Sequence, residues 1–263
     1  MEVLKFNSKG VLVEYVQSLL NTLGFSNLNI DGIFGSKTKE AVINFQRNFW
    51  LTPDGIIGKN TWNKLLLYAY IVPTNIHYGY NILSINLDGF KQKFPFLDIG
   101  NIGYSSLGRT IPYIRFGKGK KQVFYSASIH ANEWITSVLL MKYVENLSFA
   151  YENNNTIFDY RARFLYDNIS LYIVPMVNPD GVDLVVGNIE KYLPNIFNNA
   201  KILSDNYPNI PFPDGWKANI NGESLINFHH FIFKKQCSLY YISIVFASNV
   251  ILPFQHSKFS LFQ

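Results

Sequence analysis

A short motif occurs twice near the start of the chain, and this repeat constrains the fold more than any other feature. The stretch Asp31-Gly32-Ile33-Phe34-Gly35 recurs as Asp54-Gly55-Ile56-Ile57-Gly58. In each copy Asp-Gly is a turn signal, and the second glycine precedes apolar residues at helical spacing. Two copies so close together indicate one small structural unit that is built twice.

Apolar residues at three-to-four spacing predict three short helices around these turns. The three patterns are Leu12, Val16, Leu19, Leu20 and Leu23; Ala41, Val42, Phe45 and Phe49; and Trp62, Leu65, Leu66 and Ala69. Gly24 follows the first pattern at the position of a helix C-terminal stop. We therefore predict that residues 1–72 form a small all-α module of three helices joined by two Asp-Gly turns.

This ordered set of helices and turns resembles the peptidoglycan-binding domain found on many wall hydrolases, from about Val11 to Tyr70. Its marks are Gln17-Ser18-Leu19-Leu20, the two Asp-Gly turns, Ala41-Val42-x-x-Phe45-Gln46, Leu51-Thr52-Pro53-Asp54-Gly55 and Thr61-Trp62. The resemblance implies that peptidoglycan is the partner. Turn chemistry accounts fully for the aspartates and glycines. Binding would therefore belong to the assembled surface, and no single binding residue is assigned.

The charge of the chain is compatible with a wall partner and argues against nucleic acid. The net charge is +5, and the basic residues cluster at Lys118, Lys120 and Lys121, whereas a nucleic-acid footprint gathers many basic residues on one face. A modest positive charge suits attraction to an anionic polymer, and ordinary surface lysines explain it equally well. The single cysteine, Cys237, excludes an internal disulfide framework and a multi-cysteine zinc site.

Residues 73–87 are predicted to be a connector, because Pro73, Gly79 and neighbouring asparagines interrupt regular structure. Beyond it the pattern is strand-like at 111–116 and 123–128, helical at 133–151 and strand-like again at 171–177. The order strand, helix, strand favours a sheet covered by helices. We therefore predict that residues 88–222 form an α/β domain.

His130 and Glu133 mark the candidate site, because they lie where a predicted strand ends and a helix begins. An imidazole and a carboxylate at the mouth of a sheet can both reach one zinc ion. A His-x-x-Glu pair is also common at surfaces and helix starts, so the number and geometry of ligands must decide between the two interpretations.

Four stretches together resemble the zinc metallocarboxypeptidases and, among them, the bacterial γ-D-glutamyl-L-diamino acid endopeptidases, which cleave peptidoglycan stem peptides. They are Ser106–Pro112, His130–Trp134, Pro175–Gly181 and Gly215–Gly222. The resemblance implies a carboxypeptidase-like mixed sheet flanked by helices, a Zn²⁺ cofactor, and His130 and Glu133 as the first two zinc ligands. It also implies that Asn178–Gly181 form a structural turn. Lys217 follows a tryptophan where carboxypeptidases often carry the arginine that stabilises the oxyanion, and a solvated surface lysine is the alternative.

The resemblance stops at Gly222, and the 41 residues that follow are too few for the rest of the family's domain. We therefore expect the α/β domain to be incomplete at its C-terminus. Glu223 is the last acidic residue of the chain, so no later carboxylate can act as the general base and no catalytic residue is identified. Asp180 and Asp183 are the upstream candidates for a compensating base, and the turn already explains Asp180.

Three histidines remain as candidates for a third zinc ligand. His229 and His230 lie in an aromatic-rich stretch unlike that of the family, whereas His256-Ser257 matches the His-Ser pair of the family. We therefore predict His256 as the third ligand, and the alternative is a tail residue without a role in metal binding.

Residues 223–263 form a divergent hydrophobic tail. The segment Gln236–Ser257 contains no Asp, Glu, Lys or Arg and is long enough to span a bilayer. Several serines, an asparagine and a proline interrupt it, which argues against a membrane partner. We interpret the tail as an altered reading frame or a premature end, and a weak membrane anchor is the alternative.

The sequence thus predicts a zinc-dependent peptidase of bacterial cell-wall peptidoglycan that hydrolyses γ-D-glutamyl-L-diamino acid bonds and is impaired in this chain. The alternative is a non-catalytic peptidoglycan-binding protein. No secretory signal peptide is visible at Met1–Gly10. The expected association with the cell wall or the spore would therefore need another route, such as spore assembly or cell lysis.

Overall fold

The computed structural model describes residues 1–225 and the strand Leu239–Ser243. The α-helices are α1 (Val11–Thr22), α2 (Ser36–Asn48), α3 (Lys59–Tyr68), α4 (Tyr80–Lys93), α5 (Ile135–Glu152), α6 (Ala162–Asn168), α7 (Pro179–Val185), α8 (Asn188–Tyr192) and α9 (Pro194–Ser204). The strands are β1 (Asp98–Tyr104), β2 (Thr110–Phe116), β3 (Lys121–Ser126), β4 (Thr156–Ile157), β5 (Tyr160–Arg161), β6 (Ile169–Val174) and β7 (Leu239–Ser243). A short 3₁₀-helix, Ala131–Glu133, precedes α5.

A glutamine from α1 holds the first Asp-Gly turn. The side-chain nitrogen of Gln17 donates to Asp31 Oδ1 (2.8 Å), to the Ile33 carbonyl (3.2 Å) and to Thr38 Oγ1 (3.2 Å). Its side-chain oxygen accepts from the Gly32 amide at 3.1 Å. The turn is thereby tied to the helix before it and to the helix after it. We call this arrangement, centred on Gln17, a glutamine clasp.

A second glutamine clasp repeats the first around Gln46 of α2. Its nitrogen donates to Asp54 Oδ1 (2.9 Å), to the Ile56 carbonyl (3.0 Å) and to Thr61 Oγ1 (3.2 Å). Its oxygen accepts from the Gly55 amide at 2.9 Å. Gly55 has φ of 73°, a left-handed conformation that glycine adopts without strain. The repeated sequence motif is therefore a repeated structural unit.

The three helices α1, α2 and α3 bury large side chains against one another, which confirms the predicted helical module. Tyr15, Phe45 and Trp62 are fully buried, and the rings of Tyr15 and Trp62 stack with centroids 6.1 Å apart. The first residues of the chain also belong to this module, because Leu4 pairs with Ile57 in a β-bridge beside the second turn.

The sheet of the α/β domain has mixed strand directions, as predicted. Within the described residues its order is β1-β2-β6-β3-β7. Neighbouring strands are antiparallel from β1 to β6, and β3 is parallel to both β6 and β7. Alternate residues of a strand point to one face, and Phe116, Ile173 and Val144 of α5 share one buried cluster. This packing places α5 against one face of the sheet.

Two of the predicted strands end earlier than expected. Strand β3 ends at Ser126 and β6 ends at Val174. The chain then leaves the regular ladder, although the Ala127 carbonyl still accepts from the Val177 amide at 3.0 Å. These departures turn both chain segments towards the loops that carry the candidate site.

The stretch predicted to be a connector is packed against both parts of the molecule. Helix α4 begins at Tyr80, so half of residues 73–87 is helical. The Ile71 carbonyl accepts from Tyr15 Oη and Asn86 Nδ2, both at 2.8 Å. The fully buried Glu145 of α5 accepts from the Ile71 amide at 2.6 Å. One hydrophobic cluster continues through the module and the α/β domain.

Candidate functional site

His130 and Glu133 lie side by side on the loop between β3 and α5. His130 Nδ1 is 2.9 Å from Glu133 Oε1, and the side chains are 15% and 7% exposed. The second carboxylate oxygen, Oε2 of Glu133, is buried and has no hydrogen-bond partner in the described part of the chain. A buried carboxylate oxygen without a partner is unfavourable.

This geometry fits two ligands of a metal ion. A histidine nitrogen and a carboxylate oxygen are both zinc ligands, and a cation next to Glu133 would supply the partner that Oε2 lacks. In residues 1–225 no group of three His, Cys, Asp or Glu side chains is close enough to hold a metal. The described residues thus offer two side chains suited to zinc, whereas a catalytic zinc site needs three protein ligands.

Three hydroxyl groups behind Glu133 hold its backbone in place, and we call Ser128, Thr136 and Ser137 the hydroxyl cluster. The hydroxyls of Ser128 and Thr136 donate to the Glu133 carbonyl at 3.1 and 2.7 Å. Ser128 Oγ also lies 2.6 Å from Ser137 Oγ. Ser128 has φ of 47°, a left-handed value that is uncommon for a residue with a side chain. The sequence reasoning missed this cluster, although three hydroxyl residues close to a His-x-x-Glu pair were visible.

Asn178 joins three segments of the site. Its side chain accepts from the Gly181 amide at 3.0 Å, which caps the start of α7. Its Nδ2 donates to the carbonyls of Ile129 (3.3 Å) and Ala218 (3.1 Å). The resemblance predicted a structural turn at Asn178–Gly181, and these contacts give that turn a specific role next to His130.

Lys217 lies in the segment that borders the His130 loop. Its carbonyl accepts from the Ala131 amide at 3.1 Å, while its side chain is exposed. The backbone contact brings the segment close to the candidate metal ligands. The exposed side chain suits both interpretations of Lys217, as an oxyanion stabiliser and as a solvated lysine.

The carboxylates of Asp180 and Asp183 are already bound to other groups of the chain, so neither is free to act as a general base. Asp180 accepts from Ser105 Oγ (3.0 Å) and the Leu107 amide (2.9 Å). Asp183 forms an ion pair with Arg109 at 2.9 Å. Burial raises the pKa of the Asp183 carboxyl above its ordinary value, and the nearby Arg109 guanidinium opposes this shift. Both carboxylates therefore hold the 105–109 segment against α7.

Several predicted residues lie outside the described residues. They are His229, His230 and His256, together with the tail except for residues 223–225 and β7. The backbone of Leu239–Ser243, within the predicted tail, pairs with β3. In the described part of the chain, no helix combines the length and the apolar character that a membrane crossing requires.

Comparison with known proteins places the chain in a family. The family model for zinc carboxypeptidases matches residues 84–225, which is more than half of the chain. The chain belongs to the zinc carboxypeptidase family. A second family model, for a peptidoglycan binding domain, matches residues 9–65. Both resemblances predicted from the sequence are therefore confirmed, and membership of a zinc carboxypeptidase family implies zinc as the cofactor.

One curated relative is the gamma-D-glutamyl-L-diamino acid endopeptidase 1 of Lysinibacillus sphaericus. It is 38% identical over 149 residues, which cover 57% of this chain and 37% of the relative. Carboxypeptidase B of Astacus astacus is 29% identical over 109 residues, which cover 40% of this chain and 33% of that one. The chain thus spans about a third of the length of these two relatives.

Among solved structures, the SleB N-terminal domain is 37% identical, covering 25% of this chain and 89% of that one, with a TM-score of 0.24. A metallo-carboxypeptidase from Burkholderia cenocepacia is 27% identical, covering 40% of this chain and 28% of that one, with a TM-score of 0.35.

Proposed function

We propose that this chain is a zinc-dependent peptidase that binds bacterial peptidoglycan and hydrolyses γ-D-glutamyl-L-diamino acid bonds in its stem peptides. The proposal rests on the buried His130–Glu133 pair. Oε2 of Glu133 has no hydrogen-bond partner among the described residues. The domain match at residues 9–65 supports peptidoglycan as the partner, and the Lysinibacillus relative supports the class of bond.

Each residue of the site has a distinct task in this proposal. His130 Nδ1 and the Glu133 carboxylate would hold the zinc ion, and His256 would be the third ligand. A bound zinc ion acidifies a coordinated water and polarises a carbonyl group. Ser128 keeps the Glu133 backbone in position through the 3.1 Å hydrogen bond to its carbonyl. The exposed ammonium group of Lys217 would stabilise negative charge on the substrate oxygen.

We also propose that this chain hydrolyses its stem-peptide substrate slowly. Asp180 and Asp183 are occupied by Ser105, Leu107 and Arg109, and Glu223 is the last acidic residue in the sequence. General acid–base catalysis typically contributes about a hundredfold to ten-thousandfold. A chain without an assigned base should therefore bind the wall far better than it cleaves it.

The test is zinc content and release of diaminopimelate-containing fragments from muropeptides, measured for the native chain and for His130→Ala. We expect His130→Ala to lose whatever zinc the native chain binds, because one ligand then remains among the described residues. Glu190→Gln, which changes an exposed glutamate of α8, is the control. Tight stoichiometric zinc that persists in His130→Ala would show that the metal is bound elsewhere.

The second candidate function is peptidoglycan binding without turnover. The helical module matched at residues 9–65 favours it, as does the lack of an assigned base. It predicts that the native chain sediments with purified peptidoglycan while the native chain and His130→Ala release equal background amounts of fragments. Turnover that disappears in His130→Ala would exclude it.

A further inference from the structure

A cleft of about 440 Å³ opens where the helical module meets the α/β domain. Ser18 and Thr22 of α1 form one wall, residues 70 and 72–75 form the floor, and Lys142 and Asn146 of α5 form the other wall. We call it the junction cleft. Ligand sites commonly occupy about 300–1,000 Å³ and occur preferentially at domain interfaces.

Hydrogen bonds fix the walls of the junction cleft relative to each other. Ser18 Oγ of α1 donates to Asn75 Oδ1 at 2.9 Å. On the opposite side, Glu145 accepts from the Ile71 amide and from Lys142 Nζ, both at 2.6 Å. The cleft is thus formed before any ligand arrives, which reduces the ordering that binding would require.

The lining of the junction cleft is polar and close to neutral. Hydroxyl groups and the amides of Asn75 and Asn146 offer both donors and acceptors. Lys142 is the one charged group among the lining residues given above, and it is neutralised by Glu145. The half-exposed ring of Tyr70, which packs against Phe149 and has Lys142 Nζ 4.8 Å from its centroid, adds an apolar edge. Hydroxyls, amides and an aromatic ring together suit a sugar, whose polar edge and apolar C–H face need both kinds of contact.

We propose that the junction cleft binds a neutral, N-acetylated saccharide segment of the glycan strand. Stem peptides carry several carboxylates, and such a ligand would need cations that are not already paired. The inference rests on the proposed action on peptidoglycan and extends it, because it assigns the glycan to a site built jointly by the module and the peptidase domain. Contacts from both parts would then orient the strand relative to His130.

The test titrates the full chain with the N-acetylglucosamine tetramer, which has no stem peptide, and follows backbone and asparagine side-chain amides by NMR. We expect shifts confined to the cleft segments, residues 18–22, 70–75 and 142–146. Asn146→Leu should weaken binding roughly threefold to tenfold, as expected for the loss of one hydrogen bond or two weak ones. Asn198→Leu, at an exposed asparagine of α9, is the matched control and should bind like the native chain. Thr74→Val, also exposed, provides a second variant in the cleft.

Sedimentation with intact peptidoglycan separates failure of this inference from failure of the proposed function. If the chain sediments but the tetramer leaves the cleft amides unchanged, the saccharide site is refuted and wall binding stands. Equal binding by Asn146→Leu, Thr74→Val and Asn198→Leu would refute it in the same way. A free stem peptide that shifts these amides when the tetramer does not would overturn the choice of ligand. Absence of both sedimentation and shifts would overturn both proposals.

Discussion

Arg109 supplies the positive charge that offsets two buried carboxylates beside the candidate site. Its guanidinium lies 2.9 Å from Asp183 and 3.5 Å from Asp180, and both aspartate side chains are almost completely buried. It also donates to the Pro179 carbonyl at 3.0 Å. Arg109 therefore fixes the start of α7, from which Asn178 reaches the His130 loop.

We predict that Arg109→Met lowers the free energy of unfolding by about 3–5 kcal/mol at neutral pH, because it leaves buried carboxylates without a counter-charge. Burial raises the pKa of Asp183, so the folded chain holds this proton to higher pH than the unfolded chain does, and ionisation of Asp183 costs stability as pH rises from the unfolded pKa through the raised native pKa. The deficit should therefore shrink as pH falls and Asp183 takes up a proton. Urea unfolding at several pH values measures this, with Arg163→Met, at an exposed position of α6, as the control. A deficit that does not change with pH would contradict the assignment.

The sequence predicted the position of His130 and Glu133 but not what surrounds them. The pair follows a strand and precedes a helix, which are local patterns. Ser128 became part of the site through its left-handed backbone and its contacts with Thr136 and Ser137. Such contacts depend on the path of the loop in three dimensions, and residue spacing alone does not reveal them.

The two glutamine clasps likewise show that the sequence predicts local turns but not the contacts between separate elements. The Asp-Gly turns were predictable because turn residues act locally. Gln17 and Gln46 stand 14 and 8 residues before the aspartates that they hold, and only the folded helices bring them together. Strand β1 was not predicted either. It contains two glycines, its residues are mostly exposed, and its pairing with β2 forms the edge of the sheet.

We predict that Gln46→Ala destabilises the chain by about 2–3 kcal/mol, because it leaves the buried Gly55 amide without its acceptor and removes one of the hydrogen bonds of Thr61. The equivalent change Gln17→Ala should have a similar effect, since the two clasps share four contacts and Gln17 adds a fifth by accepting from the Asp31 amide at 3.1 Å. Gln92→Ala, at an exposed position of α4, is the control and should change stability by less than about 0.5 kcal/mol. Chemical denaturation monitored by circular dichroism measures all three. A much smaller loss for one clasp than for the other would show that the repeats are not equivalent in energy.

At the scale of the whole molecule, buried polar contacts join the module to the α/β domain. Asn86 donates to Tyr15 Oη at 2.7 Å and accepts from Tyr78 Oη at 2.7 Å. Burial, reinforced by the Glu145 carboxylate, raises the pKa of Tyr15 well above its ordinary range. Tyr15 therefore stays a neutral hydrogen-bond donor at physiological pH.

We predict that the described parts of the native chain unfold in one cooperative transition. Glu145→Ala should lower stability by about 3 kcal/mol or more, because it leaves the Ile71 and Val72 amides and the Lys142 ammonium without their acceptor. The module and the sheet should then melt at separate temperatures in differential scanning calorimetry. Glu152→Ala, near the end of the same helix and partly exposed, is the control. Two separate transitions in the native chain itself would show that the junction does not couple the two parts.

The packed connector also changes how tethering works in this molecule. A binding module on a flexible linker raises the effective concentration of its partner domain throughout a volume set by linker length. Here Ile71, just before the connector, is held by Tyr15, Asn86 and Glu145, and α4 begins within the connector at Tyr80. The helical module is therefore held in one position and orientation relative to the α/β domain. If the chain binds and cleaves peptidoglycan as proposed, only bonds at a fixed distance from the bound module would reach the site, and moving to the next bond would require release and rebinding of the whole molecule.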